Sequence, residues 1–160
     1  MSSFSRRIAC LSLLGLAACG FSPVYAPGGS GTALQASVAA RDPVNRSEFI
    51  YLDALEARIG RPASPEYTLD YALSVTSQSI GITAADVTTR YTLTGAAQIT
   101  LRNEATGETV LSDTVSGFTG YSTTGTQLAT ASAARDATER LMTILADRTV
   151  NRLLALDLPG

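Results

Sequence analysis

The sequence predicts an α+β fold in which two helices pack on one face of a four-stranded, mostly antiparallel sheet, in the order β-α-β-β-β-α. Two kinds of apolar periodicity lead to this prediction. Apolar residues alternate with polar ones over 67–76 and 90–101, which is typical of half-buried strands, and recur every three or four residues over 46–59 and within 127–158, which is typical of helices. The chain has 160 residues, of which 45% are hydrophobic and 16% charged, so it suits one domain with a packed core.

The first strand is predicted over 34–38, where apolar and polar residues alternate weakly. The first helix is predicted over 46–59. Asn45 is a suitable N-cap with Glu48 three residues later, close to a capping box, and Gly60 supplies the stop. The face of this helix that we expect to be buried carries Phe49, Leu52, Leu55 and Ile59.

Three longer strands then follow with short turns, which favours an antiparallel meander. The last of them is predicted over 108–119. Its two faces carry Leu111 with Val115 and Val110 with Phe118. The glycines of GFTGYSTTG, at 117–125, are predicted to permit a bend between this strand and the next helix. The polar face of the sheet is expected to carry Thr68, Asp70, Ser74, Thr92, Thr94 and Thr100.

The last element is predicted to be a helix of about 30 residues, about 45 Å long, because the chain after Thr126 is rich in Ala and Leu and lacks Gly and Pro. Its apolar stripe is predicted to contain Ala131, Ala134, Ala137 (or Thr138), Leu141, Ile144, Leu145 and Leu153. Its arginines, which are predicted to lie on a solvated face, are Arg135, Arg140, Arg148 and Arg152.

The amino terminus has the layout of a secretory signal. Arg6 and Arg7 precede the apolar stretch IACLSLLGLAA, which is too short to cross a bilayer. The tetrapeptide LAAC at 16–19 resembles a bacterial lipobox, which implies cleavage before Cys19 and attachment of fatty acyl chains such as palmitate to it. An ordinary signal peptide followed by an incidental cysteine is the alternative.

This interpretation divides the chain into a cleaved signal peptide at 1–18, a lipid-anchored flexible tether at 19–32 and a single domain at 33–160. The tether assignment follows from its Pro, Gly and Ser content. Gly20 follows the lipidated cysteine, where an aspartate often retains such proteins in the inner membrane. We therefore expect the protein at the outer membrane.

Composition excludes several classes of function. The net charge is −2 and the twelve positive residues are all arginine, so the chain has no basic footprint for nucleic acid. Histidine is absent and both cysteines lie within the first 19 residues, so neither a metal-ligand spacing nor a catalytic motif is present. The sequence predicts no enzyme, no catalytic residue, no cofactor and no metal site.

The segments LAACGF, TTRYTLTG, GFTGYSTTGTQLA and RDATERLMTILADRTVNRLLAL together resemble the LptE family, in its alphaproteobacterial form. These are the lipopolysaccharide-assembly lipoproteins of Gram-negative outer membranes. The resemblance implies a non-enzymatic protein on the periplasmic side of the membrane. It would plug and help assemble the LptD barrel and contact lipopolysaccharide in transit.

Three residues are candidates for contacts. Lipopolysaccharide is anionic, so Arg90 and Arg102, each beside a loop or turn, are the predicted ligand-binding residues, and Tyr121 is the predicted contact with the barrel. The alternatives are ordinary surface arginines paired with acids, and a Thr-rich face that is merely solvated. A different periplasm-facing lipoprotein, either an envelope ligand-binding module or a small hydrolase, is the alternative function.

Overall fold

The computed structural model describes residues 29–82, 88–123 and 126–156. Their helices are α1 (Ser30–Ser37), α2 (Arg46–Ile59) and α3 (Gln127–Leu154). Their strands are β1 (Val38–Ala40), β2 (Tyr67–Ile82), β3 (Thr88–Asn103) and β4 (Thr109–Ser122). Cys19, the signal peptide and most of the predicted tether lie outside the described residues.

The α+β prediction is confirmed. The four strands form one sheet in the order β1-β2-β3-β4, with β1 parallel to β2 and the other neighbours antiparallel. β1 pairs with β2 only over Tyr67–Leu69, whereas β2 and β3 pair from Tyr67 to Ile82. The helices α2 and α3 pack against each other, and α3 also packs on β3 and β4.

The predicted first strand is wrong for residues 34–37, which belong to α1. Leu34 and Val38 are both buried, with 1% and 0% of their surface exposed. A spacing of four fits one helical turn as well as an alternating strand, and the N–H of Val38 caps the helix by donating to the carbonyl of Leu34. The strand begins only at Val38.

The predicted bounds of α2 are confirmed, and so is its N-cap: the Asn45 side chain accepts a 3.0 Å hydrogen bond from the N–H of Glu48. Gly60 ends the helix with φ +73°, a conformation that favours glycine. The prediction for Phe49 is wrong, because it is 61% exposed, while Tyr51 is fully buried. The face of α2 that contacts the core is centred on Leu55. At 100° per residue, Phe49 falls outside it.

Alternation sets the two faces of the sheet as predicted. In β3 the buried hydrophobic residues are Leu93, Ala97, Ile99 and Leu101, all odd-numbered, and these face the helices. β4 follows the same rule, with Leu111 buried and Phe118 exposed on the other face.

Helix α3 has 28 residues, about 42 Å, and supplies much of the core. The predicted stripe is confirmed for Ala137, Leu141, Leu145 and Leu153. It is wider than predicted because α3 packs on both the sheet and α2; the additional buried residues are Met142, Ala146, Thr149 and Val150.

Two glycines let α3 lie close to the sheet. A Cβ atom on Gly117 would lie 2.8 Å from Cγ2 of Ile144, and one on Gly95 would lie 3.0 Å from Cδ2 of Leu141. Gly117 was expected in a bend, but it lies inside β4 opposite Gly95. Its role is therefore close helix–sheet packing.

Candidate partner and ligand surfaces

The face of the sheet opposite the helices, which we call the open face, carries the even-numbered side chains of β2, β3 and β4. In the described parts of the chain neither long helix covers it. Its side chains are mostly small or hydroxyl-bearing and are half-buried or exposed. The side chains that β2 and β3 contribute to the open face include Thr68, Asp70, Ala72, Ser74, Thr76, Gln78, Thr92, Thr94, Ala96, Gln98 and Thr100. Large apolar side chains are exposed there as well: Phe118, beside Thr94, is 70% exposed, and the even-numbered Ile80 of β2 and Val110 of β4 are 56% and 41% exposed.

Both predicted ligand-binding arginines lie on the open face, but the structure does not bring them together. Arg90 and Arg102 lie near opposite ends of β3, about 40 Å apart along the strand. A single anionic group therefore cannot contact both.

The two arginines also differ in their neighbours. The Arg102 Nε lies 3.9 Å from Oδ2 of Asp70, and both side chains are about half exposed, so this is a weak ion pair at the surface. Arg90 has Ser122 beside it on β4 and forms no ion pair with any described residue. Of the two guanidinium groups, that of Arg90 is therefore the one available to bind an anion.

Tyr121, the predicted barrel contact, points to the helix side of the sheet. Its ring stacks on that of Tyr91, with centroids 5.3 Å apart and planes 14° apart. Both rings are half-buried. Tyr121 and Arg90 therefore share one end of the sheet but lie on opposite faces.

Three arginines of α3, which were predicted to lie on a solvated face, contact β4. Arg140 Nη2 donates to the carbonyl of Gly120 at 3.3 Å, Arg148 donates to the carbonyl of Ser116, and Arg152 forms an ion pair with Asp113. The hydrogen bond from Arg152 holds the pKa of the Asp113 carboxyl below its usual range. These contacts tie α3 to the outer edge of β4. A helical pattern alone could not reveal them, because the partners are backbone carbonyls or lie on another element.

A cluster that the sequence analysis missed surrounds Arg41. Its guanidinium lies 3.1 Å from Glu48, donates to the carbonyl of Tyr71 at 2.9 Å and sits 4.5 Å from the centre of the Tyr71 ring. Glu48, only 7% exposed, also accepts from the N–H of Val44 at 3.1 Å. The polar atoms satisfy one another, so this cluster fixes the loop before α2 and is structural.

Buried tyrosines extend this cluster into the core. The Tyr51 hydroxyl donates to Oγ1 of Thr149 at 2.8 Å, and its ring centroid lies 4.9 Å from that of Tyr71. Burial raises the pKa of Tyr51 to about 12, although the hydrogen bond with Thr149 opposes the rise. Burial also raises the pKa of Tyr71.

Neither metal binding nor membrane spanning emerges from the described residues. Within them, no three acidic, cysteine or histidine side chains come together in a way that could hold a metal ion. Among the same residues, no helix combines the length and the apolar character needed to cross a bilayer.

Comparison with known proteins identifies the family. The LptE family, described as Lipopolysaccharide-assembly, matches residues 33–153, which is most of the chain. The chain belongs to the LptE family. It is thus an envelope lipoprotein of the lipopolysaccharide-assembly class, and the resemblance predicted from its sequence segments is confirmed.

Solved structures share the fold of this LptE-family chain. A Caulobacter crescentus CB15 protein assigned as a lipoprotein superimposes with a TM-score of 0.61 at 21% identity, covering 77% of this chain and 92% of its own. Rare lipoprotein B from Shewanella oneidensis superimposes with a TM-score of 0.57 at 12% identity, covering 73% of this chain and 91% of its own. A minor lipoprotein from Acinetobacter baumannii superimposes with a TM-score of 0.57 at 14% identity, covering 77% of this chain and 92% of its own. No curated protein matches the chain by sequence.

Proposed function

We propose that this LptE-family protein sits as a plug in the lumen of the LptD barrel, helps that barrel to assemble and assists transport of lipopolysaccharide to the outer leaflet. The observation that supports the proposal best is the open face. Antiparallel sheets commonly pack one face on the core and leave the other face polar and solvated. The open face of β2 and β3 carries mostly hydroxyl and small side chains, with Asp70, Arg90 and Arg102 as its charges. The interior of a large barrel is polar, and such a surface suits it.

The ligand contact is assigned to Arg90. Its exposed guanidinium, without an ion-pair partner among the described residues, can bind an anionic group of lipopolysaccharide with charge-assisted hydrogen bonds. Arg102 is the weaker of the two candidates because Asp70 already lies beside it.

Membrane attachment is assigned to acyl chains on Cys19 after removal of residues 1–18, with residues 19–32 as the tether. Two or more acyl chains hold a protein firmly at a bilayer, at about 0.8 kcal/mol for each buried methylene group. In this arrangement the protein lies on the periplasmic side of the outer membrane.

A pull-down from detergent-solubilised outer membrane tests the plug. The full-length lipoprotein with a C-terminal tag is expected to recover LptD in roughly equal amount. The variant Thr94→Glu places a charge in the middle of the open face and is expected to lower the recovery. Ser132→Glu, which adds the same charge at an exposed position of α3, is the matched control and is expected to behave as wild type.

Two outcomes contradict the proposal. Recovery of a stable monomer without any large barrel would favour the alternative, a free-standing envelope lipoprotein. Equal recovery of LptD by the Thr94 and Ser132 variants would show that the open face is not buried in the complex.

A further inference from the structure

The two long edges of the sheet differ in how they are protected. An edge strand presents a row of unpaired N–H and C=O groups that can pair with another chain, and proteins usually protect such edges with charges or cover them. On β4, the outward carbonyls of Ser116 and Gly120 accept hydrogen bonds from Arg148 and Arg140. At Ser116 and Gly120 this edge is therefore protected by the protein's own helix.

Among the described residues, the outer edge of β2 is protected only at its beginning. β1 ends at Ala40, opposite Leu69. Beyond it, Arg41 satisfies two outward carbonyls: its N–H donates to that of Leu69 and its guanidinium donates to that of Tyr71. Residues of the same parity point their backbone groups to the same side of a strand. The N–H and C=O groups of Leu73, Val75, Ser77 and Ser79 therefore point outward as well.

We call the segment 73–79 the free edge. No described residue pairs with its outward backbone groups, since Leu69 is the last residue of β2 that pairs with β1. Its sequence, LSVTSQS, contains neither charge nor proline, two of the features that commonly protect a sheet edge. Its side chains are exposed on both faces of the sheet, except for the half-buried Leu73.

The dimensions of the free edge argue against a second copy of this chain as its occupant. The segment is about 20 Å long, and an edge is one sheet thick, about 10 Å, so pairing covers roughly 200 Å² per partner. A stable interface needs about 800 Å² per partner. The occupant must therefore also contact the exposed faces on either side of the edge, as a protein that surrounds the sheet would do.

We infer that an extended, uncharged segment of the barrel partner adds to the free edge as a fifth strand. This inference rests on the proposed function, because LptD is the partner that would surround the sheet. Main-chain hydrogen bonds supply the affinity in such strand addition, and the alternating side chains supply the specificity. The hydroxyl-rich flanks of the free edge suit small or polar side chains on the added strand.

Proline scanning in the intact complex tests the inference. Ser77→Pro removes an outward N–H but no hydrogen bond with β3, so it is compatible with the free protein. It is expected to lower recovery of LptD by tagged lipoprotein about tenfold, the effect of losing one hydrogen bond and its neighbours in the strand. Ser77→Thr retains the N–H and is expected to recover LptD as wild type does.

Two further measurements keep the test decisive. Val75→Lys places a charge at the free edge without proline, and it replaces Ser77→Pro if thermal unfolding shows that the proline variant does not fold. Hydrogen exchange of the wild-type complex is expected to show at least tenfold slower exchange for residues 73–79 than in the free lipoprotein.

The outcomes separate the two proposals. If wild type recovers LptD but Ser77→Pro and Val75→Lys recover it equally and exchange over 73–79 is unchanged, strand addition is overturned and the plug stands. If wild type recovers no LptD, the plug itself is overturned, and the inference with it. A concentration-dependent dimer of the purified lipoprotein that Ser77→Pro abolishes would overturn the assignment of the occupant.

Discussion

The hydrogen bond between Tyr51 and Thr149 joins α2 to α3 in the centre of the core. Both residues are fully buried, and the oxygens are 2.8 Å apart. Tyr51→Phe keeps the ring and its contact with Tyr71 and removes only the hydroxyl. The net value of a neutral hydrogen bond is about 1 kcal/mol, and the Thr149 hydroxyl left in an apolar site adds a cost of about 1 kcal/mol. We expect the free energy of unfolding to fall by about 1–2 kcal/mol.

Urea denaturation of the full chain, followed by circular dichroism, measures this change, and a double-mutant cycle isolates the pair. Thr149→Val removes the other partner at constant shape. The double variant is expected to be less destabilised than the sum of the two single variants, with a coupling of about 1 kcal/mol. A coupling near zero, or a Tyr51→Phe variant as stable as wild type, would refute the reasoning that this hydrogen bond stabilises the packing of the helices.

Four other predictions follow from the described contacts. Burial raises the pKa of Tyr51 to about 12, so the neutral hydroxyl contributes fully to stability below pH 10, the unperturbed pKa, and this contribution is lost as the pH rises towards 12. In urea titrations at each pH over this range, the wild type should lose more stability than Tyr51→Phe. Gly117→Val should lower the free energy of unfolding by about 1–3 kcal/mol because its Cβ would overlap α3, and an unchanged melting temperature would contradict this. Arg90→Ala should weaken binding of lipopolysaccharide to the purified protein by about tenfold and Arg102→Ala by less, as measured by titration with fluorescent lipopolysaccharide; equal effects would remove the distinction between them. Cys19→Ser should accumulate an uncleaved precursor that is lost from the outer-membrane fraction, and normal fractionation would contradict lipidation.

The elements that could be predicted from the sequence are those whose signals are local and redundant. Helix α2 has a capping side chain at Asn45, a helical stripe and a stop at Gly60, and its predicted bounds agree with the structure. The faces of the three long strands follow from alternation alone. Helix α1 was missed because eight residues of Ser, Gly, Ala, Thr, Leu and Gln contain only two turns of pattern, and burial of Leu34 fits either element.

The candidate site could be predicted only in part. Equal parity on one strand placed Arg90 and Arg102 on the same face of the sheet, and their separation along that strand placed them far apart. The stacking of Tyr121 on Tyr91 depends on the register of β3 against β4, which the sequence does not specify. The difference between the two sheet edges depends on Arg41, Arg140 and Arg148 reaching backbone carbonyls of distant residues, and no sequence spacing encodes such contacts.

Helix α3 follows all four strands along the chain, and this order has a consequence for folding. The meander of β2, β3 and β4 can pair as soon as its hairpins are made, because its contacts are local. Its helix-side face, with Leu93, Ile99 and Leu101, is covered only when α3 packs on it. Until then an apolar surface on a finished sheet is exposed, and such intermediates aggregate readily. The helix-side face of the sheet is therefore protected only once α3 has packed on it.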